Sequence, residues 1–169
     1  MGGAVTGNGF TALVDDRPGD GVFRVDRAVY RDDGVFNAEM VRIFEHCWVY
    51  LCHESQVAEP GDYFATTIGR QPVFVSRQAN GSLKTYINAC PHRGALLTPF
   101  RQGRAEVLTC RFHGWSFNCD GRCVHIKNED AGFPEPNFQR SRFDLTEVPL
   151  TTSYRGFVFG CLDGAVGPI

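Results

Sequence analysis

Two short clusters constrain this chain more than any other feature: Ala89-Cys90-Pro91-His92-Arg93-Gly94-Ala95 and Thr109-Cys110-Arg111-Phe112-His113-Gly114-Trp115. Each supplies one thiolate and one imidazole, in the order Cys-x-His, seventeen intervening residues, then Cys-x-x-His. Thiolates select soft or borderline metals. Two Cys with two His suit either a tetrahedral zinc ion or a 2Fe-2S centre with Cys on one iron and His on the other. Ligand chemistry alone leaves both open.

Around the clusters the signals are those of a β domain. From Pro60 onward, Gly61-Asp62 precedes a β-rich run from Tyr63 to Ile68, Gly69-Arg70 breaks it, and Val73 to Arg77 follows. Asn80-Gly81 then leads into Leu83 to Asn88, and such a pair between two β-rich runs is the strongest short hairpin signal. Further runs occur at Ala105 to Thr109, Trp115 to Asn118 and Gly156 to Leu162, with Asp120-Gly121 as another turn. Short strands at this spacing predict a mainly β fold, a small antiparallel sandwich or barrel. A Pro-rich, acidic loop is expected between Asn128 and Phe138. Before the β region, Asn37 is the expected N-cap of a short helix ending near Cys47, with Met40, Ile43 and Phe44 as its apolar stripe, packed with Trp48 and Tyr50 against the sheet. Residues 1–35 mix Gly, Asp and Arg without a period and are expected to form an irregular arm, mobile at its tip.

A chain of 169 residues, 43% apolar with 14 Phe, can bury one domain core. A net charge of −2 without a run of like charges gives no electrostatic reason to expect nucleic acid or an anionic membrane. No stretch approaches the roughly 20 apolar residues that span a bilayer, and Met1-Gly2-Gly3-Ala4 lacks the basic-then-apolar pattern of a leader. Gly7 also stands where a myristoylation motif wants Ser or Thr. The expectation is a soluble, cytoplasmic protein. Seven Cys make a poor disulfide framework, so metal ligation plus free thiols fits better. Cys47, Cys52 and Cys161 sit among apolar residues and are expected in the core. Cys119 and Cys123 are expected as free thiols beside the Asp120-Gly121 turn, and His125 as a residue without a site role.

The flanks of the ligands narrow the metal. Cys-Pro-His-Arg-Gly-Ala and Cys-x-Phe-His-Gly-Trp resemble the two cluster loops of the Rieske domain family. Zinc fingers instead pair a Cys-x-x-Cys half with a His-x-x-x-His half, and neither half exists here. The resemblance implies a Rieske-type antiparallel fold with a two-loop subdomain holding a 2Fe-2S cluster, over residues 36–165. It further implies Cys90 and Cys110 on the inner iron, His92 and His113 on the outer one, and Arg93, Gly94, Gly114 and Trp115 as their immediate surroundings. Family members of high potential carry an extra Cys in each loop and hydroxyl donors near the sulfurs. Ala95 and Trp115 occupy such positions here, which implies the lower part of a range of roughly −150 to +300 mV.

A Rieske domain is an electron-transfer module, and the fold does not settle the chemistry it serves. Ile43-Phe44-Glu45-His46-Cys47-Trp48-Val49-Tyr50, His53-Glu54-Ser55-Gln56, Gly69-Arg70-Gln71-Pro72-Val73-Phe74-Val75 and Ser153-Tyr154-Arg155-Gly156-Phe157-Val158-Phe159-Gly160 are similar to the large subunit of aromatic-ring-hydroxylating dioxygenases, closest to the benzoate, toluate and anthranilate 1,2-dioxygenase branch. In that family a C-terminal domain binds mononuclear Fe(II) through two His and one carboxylate. The remaining His46, His53 and His125 do not form that cluster, so the chain reads as a truncated N-terminal domain without catalytic residues of its own. The resemblance implies a flavin and iron-sulfur reductase as electron donor, and neighbouring large subunits with a small beta subunit as partners. It places His113 as the electron exit toward a neighbour's catalytic domain, with proton-coupled redox behaviour. Arg93 and Arg111 flank ligands and could attract an acidic reductase face. Other readings are a free-standing Rieske ferredoxin, a Rieske monooxygenase or demethylase component, and a structural zinc module.

Overall fold

Strand β5 (Gln71–Arg77) explains the layering, because Val73, Phe74, Val75 and Ser76 are all buried. A strand covered on only one face would alternate; one covered on both reads as a continuous apolar run. Phe74 packs with Tyr63, Tyr86, Trp115 and Phe117, whereas Val73 and Val75 pack with Leu51, Phe64, Ile68 and Val158. The sheet containing β5 is therefore a middle layer with a core on each side. Full burial of each large side chain such as Phe74 or Phe117 contributes about 1.5–3 kcal/mol.

The computed structural model describes residues 7–133 and 138–169. The other strands are β1 (Val14–Arg17), β2 (Val22–Val25), β3 (Val49–His53), β4 (Asp62–Ile68), β6 (Leu83–Ile87), β7 (Gln102–Arg104), β8 (Val107–Thr109), β9 (Ser116–Asn118), β10 (Cys123–His125), β11 (Leu150–Tyr154) and β12 (Phe157–Cys161). The middle sheet has the order β6-β5-β4-β7; β11-β12-β3 and β10-β9-β8 form two three-stranded sheets, and β1-β2 a hairpin. Every pairing is antiparallel. The expected mainly β, antiparallel architecture is what the chain adopts, with the sheets arranged in layers on both sides of the middle one. The Asn80-Gly81 hairpin forms as the loop 78–82 between β5 and β6, where Asn80 Oδ1 accepts from the Ser82 N–H and hydroxyl.

The N-terminal third departs from expectation. Residues 14–25 are a hairpin, closed by Asp26 N–H donating to Leu13 O at 2.8 Å and braced by Arg17 on Asp15 and Asp20, so the arm is not irregular there. Met1-Gly2-Gly3-Ala4 and the expected mobile tip lie outside the described residues. Helix α1 (Asp33–Glu39) begins earlier than the Asn37 expectation: Asp32 caps it, Oδ1 accepting from Gly34 and Val35 N–H at 2.8 and 3.1 Å. Asn37 lies within the helix and accepts from Arg70 instead. A π turn, Met40–Phe44, follows, with Glu45 N–H reaching back five residues to Met40 O. That extra residue rotates the stripe, so Met40 is buried while Ile43 is half exposed. Cys47, expected in the core, is exposed just past this turn, whereas Cys52 and Cys161 are buried as expected. Trp48 donates its indole N–H to Gly167 O, and Tyr50 stays half exposed on β3. The loop after Asn128 contains one helical turn, α2 (Glu129–Gly132); Pro134-Glu135-Pro136 lie outside the described residues. No helix among the described residues is long and apolar enough to cross a membrane.

Candidate metal centre

Both Cys-His clusters sit at strand ends, one in the loop after β6 and one between β8 and β9. Their backbones close in the same way. Cys90 N–H donates to Ala95 O and Gly94 N–H to Cys90 O, both at 2.8 Å; Cys110 N–H donates to Trp115 O at 2.7 Å and Gly114 N–H to Cys110 O at 2.9 Å. Each loop thus runs from a Cys to a Gly four residues on. That Gly takes φ +72° in one loop and +71° in the other, a left-handed conformation that costs a residue with a Cβ roughly 1–2 kcal/mol. The loops differ in where the His falls, two residues after Cys90 and three after Cys110.

The consequence is a sorting by depth. Cys90 and Cys110 are both 2% exposed and belong to one core, near enough for the Cys110 side chain to help raise the Cys90 thiol. His92 and His113 lie further out, their ring centroids 4.7 Å apart and planes 68° apart. Paired thiols inside and paired imidazoles outside match a two-iron cluster with unlike ends.

Electrostatics support the same division. Burial pushes the Cys90 thiol up to about 11, although backbone N–H groups of His92 and Arg93 aimed at its sulfur pull the other way. Ionising the buried Cys90 thiol calls for a cation beside it, which a bound metal would supply. Burial, then the neighbouring His113 and Arg93, lowers the His92 pKa and favours the neutral imidazole that a metal requires.

Arg93, Gly94, Gly114 and Trp115 lie within or at the end of these loops. Arg93 is exposed, and Arg111 lies over the Phe100 ring at 5.2 Å. Trp115, 2% exposed, stacks flat on His92 at 4.8 Å. Cys119 and Cys123 stay free thiols; His125 is exposed, His46 pairs with Asp163 at 2.9 Å, and His53 caps the turn Glu54–Val57. None of these joins the centre.

Sequence reasoning missed Asn88. Buried at 4% exposure, it donates to Thr98 O and accepts from Leu97 and Thr98 N–H, tying the far end of the first loop back to β6. A polar amide directly ahead of a ligand cluster was the available signal. Phe133, Phe138 and Phe143, which surround Trp115, were also missed.

The Rieske 2Fe-2S domain model matches residues 47–149, which include both loops. The chain belongs to the Rieske 2Fe-2S domain family. This Rieske domain is 42% identical to toluate 1,2-dioxygenase subunit alpha of Pseudomonas putida, over 94% of the chain and 35% of that protein. It is 43% identical to the anthranilate 1,2-dioxygenase large subunit of Acinetobacter baylyi, over 89% of the chain and 31% of that protein. Its fold superposes on naphthalene 1,2-dioxygenase from Rhodococcus sp., solved with indole bound, with TM-score 0.80 and 32% identity over 85% of the chain and 32% of that chain. The Rieske domain spans about a third of the length of these relatives.

Proposed function

We propose that this chain is the electron-transfer domain of the large subunit of an aromatic-ring-hydroxylating dioxygenase acting on an aromatic carboxylate. The observation that carries it is the pair of matched loops with two neighbouring buried thiols in one core and two outward imidazoles. Greater identity to toluate and anthranilate dioxygenases than to naphthalene dioxygenase supports the substrate class. Cys90 and Cys110 bind one iron as thiolates; His92 and His113 bind the other as neutral imidazoles. When bound, such a cluster takes up and releases one electron at a time at a potential of roughly −150 to +300 mV.

The residues around it divide the labour. His92 and Arg93 N–H groups stabilise charge on the Cys90 sulfur. Gly94 and Gly114 let each loop fold back on its own Cys, and Trp115 excludes water from the side of His92. His113, flanked by the exposed Phe112, is the electron exit. Arg93 and Arg111 face solvent next to the ligands, where they attract an acidic partner surface and raise its association rate. The partners in this reading are a flavin and iron-sulfur reductase, neighbouring large subunits carrying the mononuclear Fe(II) site, and a small beta subunit. Residues 36–165 form the Rieske unit, and the reducing cytoplasm suits seven cysteines with no disulfide among them.

Anaerobic loading with iron and sulfide tests the centre. A coloured protein whose reduced form gives the EPR spectrum of a mixed Cys/His 2Fe-2S cluster is expected; a colourless zinc protein refutes it. For the enzyme, the large subunit with its reductase and NADH should convert benzoate, toluate or anthranilate to dihydroxylated products. Turnover restricted to non-carboxylate substrates refutes the substrate class.

A further inference from the structure

The two imidazoles of the centre are held unequally. His92 lies flat against Trp115, with centroids 4.8 Å apart and planes within 1°. Trp115 itself packs against three more rings: Phe133, Phe138 and Phe143 meet it at 5.7, 6.3 and 5.3 Å with planes at 87°, 82° and 84°. These rings also pack on one another, Phe133 tilted 35° to Phe138 at 4.7 Å and Phe138 stacked on Phe143 at 5.0 Å. An indole in such a box cannot turn without displacing a ring, and Trp115 is 2% exposed. Among the described residues no ring stacks flat on His113: the His92 ring meets it edge-on, and the Phe112 ring, 63% exposed, is tilted 36° to it.

An imidazole bound through one nitrogen can still rotate about that bond, and its plane sets both its overlap with the metal and the direction of its second nitrogen. Ring orientation at metal sites is usually fixed by a hydrogen bond from that second nitrogen. Among the described residues no hydrogen bond reaches the His92 ring, so the flat stack takes that role. We propose that Trp115, boxed by Phe133, Phe138 and Phe143, is a positioning residue that fixes the plane of His92 and leaves that of His113 adjustable. The proposal rests on the ligand assignment above. It gives the adjustable plane to the ligand through which electrons leave, so docking of a partner can reset one imidazole without disturbing the other.

Electron–nuclear double resonance on the reduced, cluster-loaded chain resolves the couplings of the two coordinated nitrogens. Trp115→Leu is expected to shift and broaden one coupling while the other holds, Trp115→Phe to restore it toward the original value, and Phe112→Ala to move the other nitrogen only. Phe143→Leu loosens the box without touching the indole and should broaden the same coupling as Trp115→Leu, so it decides the matter if Trp115→Leu fails to hold a cluster. Equal shifts of both nitrogens, or no shift in either variant, overturn the proposal. Absence of any mixed-ligand spectrum from the unaltered chain overturns the ligand assignment first and this proposal with it.

Discussion

Adding one methyl group at Gly121 and at Gly94 separates backbone strain from crowding. Both glycines are left-handed, at φ +79° and +72°. At Gly94 an added Cβ meets nothing within 4 Å, so Gly94→Ala costs only the conformational penalty of roughly 1–2 kcal/mol. At Gly121, in the turn after β9, the same Cβ falls 2.5 Å from Tyr86 Cε1 and 2.8 Å from Cζ. Tyr86 cannot retreat: it is 2% exposed and packs on Phe74 at 5.6 Å, while Leu145 N–H holds the turn through Gly121 O. Overpacking of that kind adds about 1–3 kcal/mol, giving roughly 2–5 kcal/mol for Gly121→Ala. In a domain of this size each kcal/mol lowers Tm by roughly 2–4 °C, so the expected losses are roughly 2–8 °C for Gly94→Ala and roughly 4–20 °C for Gly121→Ala. Calorimetry of the cluster-loaded proteins at one fixed scan rate measures both. Equal losses refute the packing assigned to Tyr86.

Replacing His92 and His113 together by Cys should lower the midpoint potential by some hundreds of millivolts, toward the roughly −400 mV of all-Cys centres, as read by redox titration. Burial holds the Cys52 and Cys123 thiols up at about 11 while Cys47 is exposed, so iodoacetamide at mildly alkaline pH should label Cys47 first in a mass-spectrometric time course. Ser153, which donates a short hydrogen bond, and Arg77 hold the Glu54 carboxyl below its usual range. Its stabilisation is therefore present above the ordinary carboxylate range and lost as pH falls through the lowered value. Glu54→Gln should lower Tm at neutral pH and converge with the unaltered protein in acid, which a Tm-against-pH series checks.

The two loops stood out because what marks them is local: two candidate ligands and a turn glycine within five residues, twice over. The β region was legible for the same reason, through short runs bounded by turn pairs. What escaped depended on distance. Asp32 and Asn37 can each cap a helix, and the choice falls to Asp32 because Val35 and Met40 are the residues buried. The π turn that exposes Ile43 leaves no mark in apolar spacing, since its effect is to break that spacing. The β1-β2 hairpin buries none of its residues, so it carried no alternation to read. Phe133, Phe138 and Phe143 stood out only as Phe density, and their common target, Trp115, lies 18 to 28 residues earlier in the chain.

The closure of each loop by its own main chain has a consequence for how such a centre can change. Neither the Cys90-to-Ala95 bond nor the Cys110-to-Trp115 bond passes through a ligand side chain. Ligand identity is thereby separated from loop shape: a sulfur can be exchanged for a nitrogen while the framework that aims it stays closed. A lineage of such domains can explore redox potential one substitution at a time without first having to rescue its fold.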